Sequence, residues 1–398
     1  MNPDLDKLHP YPFEKLLKLK QGTQPPSDKP HIALSIGEPK HQPPHIALQQ
    51  ITTHLHTMGS YPLSKGTFEL RQAIAQWLCR RFGLKADNID AESHIIPVSG
   101  TREALFAFAQ AVVDRAANPV VLMPNPFYQI YEGAVLLSGA EPVYLNTTAE
   151  TQFVPDFDRV PESVWQRCQL VYICSPGNPT GAVMDERQLQ QLIQLADRYD
   201  FIIASDECYS EIYFDEQNPP LGLLQVAHDM GRTDYRRCVV FHSLSKRSNV
   251  PGMRSGFVAG DAQVIKKFLL YRTYHGCALP LFVQSASTAL WNDEHHVQDN
   301  RELYRQKFAQ VLSVLQPVMN VEHPQAAFYL WPETPCDDEQ FTRELFNQQN
   351  VTVLPGSYLS RLADGVNPGK NRVRIALVAS LEECLDAAYR IKEFIEHL

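Results

Sequence analysis

Apolar and polar positions divide the chain into three stretches. Between about residues 65 and 260, short apolar runs alternate with segments of helical spacing. The runs are 94–99 (HIIPVS), 120–123 (VVLM), 170–174 (LVYIC), 201–205 (FIIAS), 238–243 (CVVFHS) and 256–260 (GFVAG), with helical spacing at 101–114 and 185–199. Short continuous apolar runs suit strands covered on both faces. Their alternation with helices predicts an α/β fold built on a mostly parallel sheet. After about 283 the pattern becomes a long helical stretch over 283–316, short strands at 327–331, 351–354 and 372–378, and a final helix at 381–397. Residues 1–45, rich in proline and polar residues, read as a short helix at about 4–20 followed by an irregular arm. The expected organisation is an arm and part of a small domain at 1–45, a large ligand-binding domain at 46–285, and the rest of a small α+β domain at 286–398.

Composition narrows the function classes. A chain of 398 residues is too long for one ordinary core. Its 44% hydrophobic and 20% charged residues are those of a folded globular protein. The net charge of −9 argues against a nucleic-acid partner, which needs a basic face, but leaves room for a local basic pocket. No apolar run approaches the ~20 residues of a membrane span. The start, Met1-Asn2-Pro3-Asp4-Leu5-Asp6, lacks the basic-then-apolar order of a signal peptide, so a cytoplasmic location is expected. Eight scattered cysteines form no C-x-x-C pair and are expected to be reduced. The histidines include no H-E-x-x-H, and His295-His296 lies in a polar stretch where solvation is expected, so no metal is predicted.

Five polar clusters follow the predicted strands, where α/β sheets bind ligands. Ser99-Gly100-Thr101 joins a strand to a helix, a place where exposed N–H groups and the helix dipole attract phosphate. Ser175-Pro176-Gly177-Asn178-Pro179-Thr180-Gly181 is a sharp turn with an amide at its apex. Asp206, one residue past FIIAS, is placed to keep a pyridinium nitrogen protonated, and Tyr209 to donate to a phenolate oxygen. Lys246, in Ser243-Leu244-Ser245-Lys246, becomes a nucleophile toward an aldehyde once partly desolvated. Arg254, eight residues later, has the fork that suits phosphate, as does the Ser243 hydroxyl. Each cluster alone has an ordinary reading as a cap, a turn or a solvated charge. Together they supply what pyridoxal 5′-phosphate needs: an amine, a carboxylate for the ring nitrogen, donors for the ring oxygen and a phosphate cup.

The S-P-x-N-P-T-G, D-E-x-Y and S-x-S-K-x₇-R strings resemble those of the fold-type I, pyridoxal-phosphate-dependent aminotransferases of the aspartate aminotransferase superfamily, over nearly the whole chain. The resemblance implies a large domain with a mostly parallel sheet plus a smaller α+β domain, acting on small amino and keto acids. It implies Lys246 as the Schiff-base lysine and proton shuttle, Asp206 on the ring nitrogen, Tyr209 and Asn178 on the ring oxygen, and Gly100, Thr101, Ser243 and Arg254 around the phosphate, with Ser245 a weaker candidate. Tyr128, in Pro124-Asn125-Pro126-Phe127-Tyr128-Gln129-Ile130-Tyr131, matches the ring-stacking aromatic. Tyr61 matches the tyrosine that reaches the phosphate of a neighbouring subunit, implying a homodimer with shared active sites. Gly37 matches the arm that closes over substrate. Arg374 matches the arginine that clamps the substrate carboxylate; Arg372, on the same strand face, competes with it by register alone.

Lys246-Arg247-Ser248-Asn249 and Cys208 depart from the commoner family pattern. The loop 243–257 with residues 274–281 resembles the bacterial succinyldiaminopimelate aminotransferases of lysine biosynthesis, which implies glutamate as donor and an N-succinyl-2-amino-6-oxopimelate acceptor. Other aminotransferase specificities (aspartate, alanine, LL-diaminopimelate), a C–S β-lyase and a ligand-sensing regulator share the fold and compete with this reading. Arg272, Asn249 and His275 are noted for a distal substrate group without a derived contact.

Overall fold

The sheet at the centre of the computed structural model, which describes residues 1–398, has seven strands. From one edge they run Ile95–Val98, Gly256–Gly260, Cys238–Ser243, Ile202–Asp206, Cys168–Cys174, Val120–Asn125 and Glu141–Asn146. Only Gly256–Gly260 runs against its neighbours; the other pairings are parallel. The expected mostly parallel α/β sheet is therefore present.

Successive residues of each strand serve opposite faces. On one face Leu122, Val171, Ile173, Ile203 and Val240 pack with helices Phe68–Phe82, Glu186–Tyr199 and Leu281–Asn292. On the other, Val121, Met123, Tyr172, Val239 and Phe241 pack with helices Thr101–Val112, Ile130–Ser138 and Ala262–His275. A side chain such as Phe241, fully buried, contributes about 1.5–3 kcal/mol by leaving water. The edge strand Glu141–Asn146 escapes the sequence reading because it starts with an exposed glutamate and a proline, which only an edge tolerates.

A further core combines Ile32 and Leu34 of the N-terminal arm with Tyr304, Phe308, Tyr329, Val373, Ile375 and helix Leu381–Glu396. Ile32–Ala33 pairs in parallel with Val351–Thr352, and Leu354–Pro355, Val373–Ala376 and Tyr329–Leu330 form a three-stranded sheet. No helix is long and apolar enough to cross a membrane.

Two expected helices are broken. The stretch at 283–316 is two helices, Leu281–Asn292 and His295–Leu315. The buried Arg247 takes the carbonyls of Leu290 (2.7 Å) and Asp293 (3.2 Å), and the Asp293 carboxylate turns to the His296 N–H at 3.2 Å. His296 is consequently largely buried rather than solvated, with Nε2 2.8 Å from the Ser248 hydroxyl. The N-terminal helix is a short 3-10 turn, Pro3–Lys7, followed by Pro12–Leu19, because Pro10 and Pro12 cannot continue a helix.

Candidate active site

The parallel strands end on one edge of the sheet, and three of them hand over there to loops that carry candidate residues. Asp206 closes its strand, Cys174 leads into the Asn178 turn, and Ser243 leads into the short helix Leu244–Arg247. The reversed strand completes the edge: Gly256 pairs with both Val98 and Ser243, so its beginning lies beside their ends. Arg254, just before it, is thereby brought level with Gly100 and Lys246.

These loops and the arm enclose a cavity of about 550 Å³. Lys246, Asp206, Tyr209, Thr101, Tyr128, Asn178, Ser243, Arg254, Gly37 and Arg374 all line it, as does Ser245. Gly100 stands behind: its φ of +85° and a Cβ that would lie 2.2 Å from Arg254 Nη2 require glycine. Tyr61 lies outside the cavity and is fully exposed in the single chain. Arg272, Asn249 and His275 also lie outside. Arg272 is fully buried and held by Glu103 at 2.8 Å, and Asn249 donates to Asn300 at 2.8 Å.

The lysine nitrogen is half-buried and donates to the Gly37 carbonyl at 2.5 Å. Burial, with the nearby Arg374 and Arg254 charges, brings its pKa down from 10.5 to about 8, against a smaller upward pull from Cys208 and Glu38. The neutral, nucleophilic amine therefore becomes abundant at a lower pH than for a solvated lysine. We expect the rate at which the cofactor-free chain combines with pyridoxal phosphate to rise with pH and reach half its maximum near 8. Stopped-flow absorbance measures this; a midpoint near ~10.4, the solvated-lysine value, would refute the desolvation.

Asp206 is buried, and burial raises its pKa. Two donors offset this: Tyr131 Oη at 2.6 Å and the Cys208 N–H at 3.2 Å. No cationic side chain forms a salt bridge with it, so a cation presented from the cavity fits it well. Tyr131, which closes the Pro124–Tyr131 string, carries no expected role in the sequence, and its place as the last tyrosine of that string is the only signal for this contact. Tyr209 Oη sits 2.9 Å from Tyr329 Oη, and burial raises the Tyr209 pKa well above its usual value, so it stays a hydroxyl.

Arg374 settles the register. Its Nη1 donates to Asn178 Oδ1 at 2.9 Å and its Nη2 to the Ser35 carbonyl at 2.7 Å, while its buried Nε has no partner. Arg372 instead serves the Trp331 carbonyl at 2.9 Å and pairs with Glu333. Arg374 lines the cavity and pairs with no carboxylate, so its guanidinium suits one brought by a ligand.

The arrangement fits pyridoxal phosphate. Helix Thr101–Val112 starts at Gly100 with no side chain capping it, which leaves its first N–H groups free for an anion. Ser243, Ser245 and Arg254 line the same cavity. A buried carboxylate without a cation and a lysine of lowered pKa stand in that cavity too.

The aminotransferase class I and II family model matches residues 29–391. An aminotransferase of Neisseria meningitidis is similar in structure, with a TM-score of 0.95 and 50% identity, covering 99% of this chain and 100% of that one. An N-succinyldiaminopimelate aminotransferase assigned as probable in Thermus thermophilus reaches a TM-score of 0.84 at 25% identity, over 96% of this chain and 99% of its own. The LL-diaminopimelate aminotransferase of Aquifex aeolicus is 29% identical over 399 residues, covering 98% of this chain and 97% of the relative. The match runs along nearly the whole chain, and the protein belongs to the class I and II aminotransferase family, whose members depend on pyridoxal 5′-phosphate.

Proposed function

We propose that this aminotransferase moves an amino group from glutamate to a 2-oxo or N-succinyl-2-amino-6-oxopimelate type acceptor in the diaminopimelate route to lysine. The supporting observation is the Arg374 guanidinium, paired with no carboxylate, in the cavity that holds Lys246 and Asp206: both substrates of such a reaction carry a carboxylate beside the reacting carbon. The loops 243–257 and 274–281 support the succinylated acceptor, as does the name of the Thermus relative. A second reading, LL-diaminopimelate as the substrate, is supported by the names of the curated relatives.

When bound, pyridoxal phosphate supplies an aldehyde for the amino group and an electron-withdrawing ring that weakens the bonds of the substrate α-carbon. Lys246 Nζ would hold the aldehyde, then take up and return the α-proton. The Asp206 carboxylate would pair with the ring nitrogen. Tyr209 Oη and the Asn178 amide would donate to the ring oxygen. Gly100, Thr101, Ser243 and Arg254 would hold the phosphate, and Tyr128 the ring face. Arg374 would orient the substrate by its carboxylate, and the arm bearing Gly37 would exclude water. We further propose a homodimer in which Tyr61 reaches the partner's phosphate.

Arg374→Lys keeps the charge and loses the planar fork. We expect KM for both substrates to rise about 10–100-fold, the loss of a charge-assisted pair. An unchanged KM would show that the carboxylate binds elsewhere. The acceptor is decided by turnover: glutamate with the succinylated 2-amino-6-oxopimelate supports the first reading, and turnover confined to unsuccinylated diaminopimelate supports the second. Release of pyruvate and ammonia without a keto acceptor would mark a β-lyase and overturn both.

A further inference from the structure

The arm that bears Gly37 is fastened almost entirely by side chains. Residues 35–43 lie between strand Ile32–Ala33 and helix His45–His54, and they make no hydrogen bond to another backbone group. Arg374 donates to the Ser35 carbonyl at 2.7 Å, and Lys246 donates to the Gly37 carbonyl at 2.5 Å. His41 supplies the remaining anchor. Its Nδ1 stands 2.7 Å from Asn300 Oδ1, and its Nε2 stands 2.6 Å from Lys307 Nζ.

The partners of His41 fix the direction of its protons. Lys307 is buried on helix His295–Leu315, and no carboxylate forms a salt bridge with it. Burial lowers its pKa to about 8, so at pH 7 it is still an ammonium, which only donates. The imidazole therefore accepts at Nε2, carries its proton on Nδ1 and donates to Asn300. Asn300, itself buried, accepts from Asn249 at 2.8 Å and donates to the Lys246 carbonyl at 3.4 Å. Every donor in this chain meets an acceptor, and the chain ends on the backbone of the reactive lysine. It also accounts for Asn249, one of the departures from the commoner family pattern. Its φ of 52° is left-handed backbone that asparagine tolerates, and its side chain joins the loop to Asn300.

The three anchors are not equivalent. Lys246 and Arg374 are the groups that the proposed ligands claim, one for an aldehyde and the other for a carboxylate. His41 lies outside the cavity, so its hold on the arm does not compete with either ligand.

We propose that His41 is a positioning residue that latches the arm, through Asn300, to the lysine loop. The arm then stands closed over Lys246 before a substrate arrives. When only the closed state binds well, apparent affinity scales with its population, while the saturated complex turns over as before. This deepens the proposed reaction and rests on the reading that the arm covers the substrate.

The test follows the arm and the kinetics together in the holoenzyme. Lys40 is exposed in the arm, so trypsin can cut the Lys40–His41 bond. When opening and closing are fast, the cutting rate tracks the open population. His41→Leu is expected to speed cleavage after Lys40 about 10-fold, the scale of losing one hydrogen bond in a charged chain. KM for glutamate should rise by a similar factor, with kcat changed far less. His41→Gln, which can accept from Lys307 and donate to Asn300, should recover most of both effects. Lys307→Met, which leaves the cleaved bond untouched, should give part of each. Unaltered cleavage after Lys40 in His41→Leu overturns the proposal. So does faster cleavage at sites throughout the chain, which would make His41 a general stabiliser of the fold. A fall in kcat with KM unmoved overturns it as well. If His41→Leu does not fold, Lys307→Met decides, and parent-like cleavage and KM in that variant overturn the latch. If the parent gives no reaction with glutamate, the functional reading fails separately, and the tryptic rates still decide whether His41 holds the arm.

Discussion

Lys246→Ala should slow amino-group transfer by about 10⁴-fold or more, the upper range for losing a positioned acid–base group, with the covalent anchor lost as well. The variant is expected to fold. In the parent, burial holds the amine's pKa at about 8, below its unfolded value of 10.5. Between these values the unfolded chain binds more protons than the folded one, so this lysine's contribution to stability becomes more favourable as pH rises through the window. Below pH 8 the desolvation penalty is fully present. Lys246→Ala should therefore melt no lower than the parent at pH 7, with any advantage shrinking above pH 8. Loss of activity together with a lower melting temperature at pH 7 would point to a structural role instead. Small primary amines in solution should restore part of the rate, since what is missing is a base beside the α-carbon.

Asp206 gives the second large effect, and two substitutions separate its roles. Asp206→Asn keeps one oxygen for the Cys208 N–H, now 3.2 Å from Oδ1, and sets its amide against the Tyr131 hydroxyl, now 2.6 Å from Oδ2, which can turn to accept, but it loses the charge. We expect kcat to fall about 10²–10³-fold, the scale of removing one preorganised electrostatic partner, with little change in stability. Asp206→Ala also strands two buried donors and should cost a further 1–3 kcal/mol or so of folding free energy. Steady-state kinetics with thermal melts distinguishes the two. Similar kcat in Asp206→Asn and the parent would remove Asp206 from the ring nitrogen. Tyr131→Phe, which takes away one donor and leaves the charge, should reduce kcat far less than either.

Much of this site was legible because each functional residue ends an apolar run. Lys246, Asp206 and Asn178 follow strands whose hydrophobic continuity is hard to mistake, so the carboxyl edge could be drawn before the contacts were known. Register alone does not separate Arg374 from Arg372, since residues two apart on a strand share a face; the family pattern favours Arg374, and the neighbours Asn178 and Glu333 set the two apart. Arg272 drew attention through its loop, yet Glu103 neutralises it inside the protein. The break at Asp293 depends on the buried Arg247, a long-range partner that no local periodicity encodes.

The one reversed strand sets how the two ligands are retained. Lys246 and Arg254 lie in the single connection between the antiparallel neighbours Cys238–Ser243 and Gly256–Gly260, whereas Arg374 arrives on the strand that carries Val373 and Ile375 into the other hydrophobic core. Two of the proposed coenzyme contacts thus ride on one pair of strands, and the proposed substrate contact Arg374 rides on separate masonry. We expect movement between the two cores to release product and admit the next acid while these strands keep their hold, as a two-stage exchange of amino groups demands.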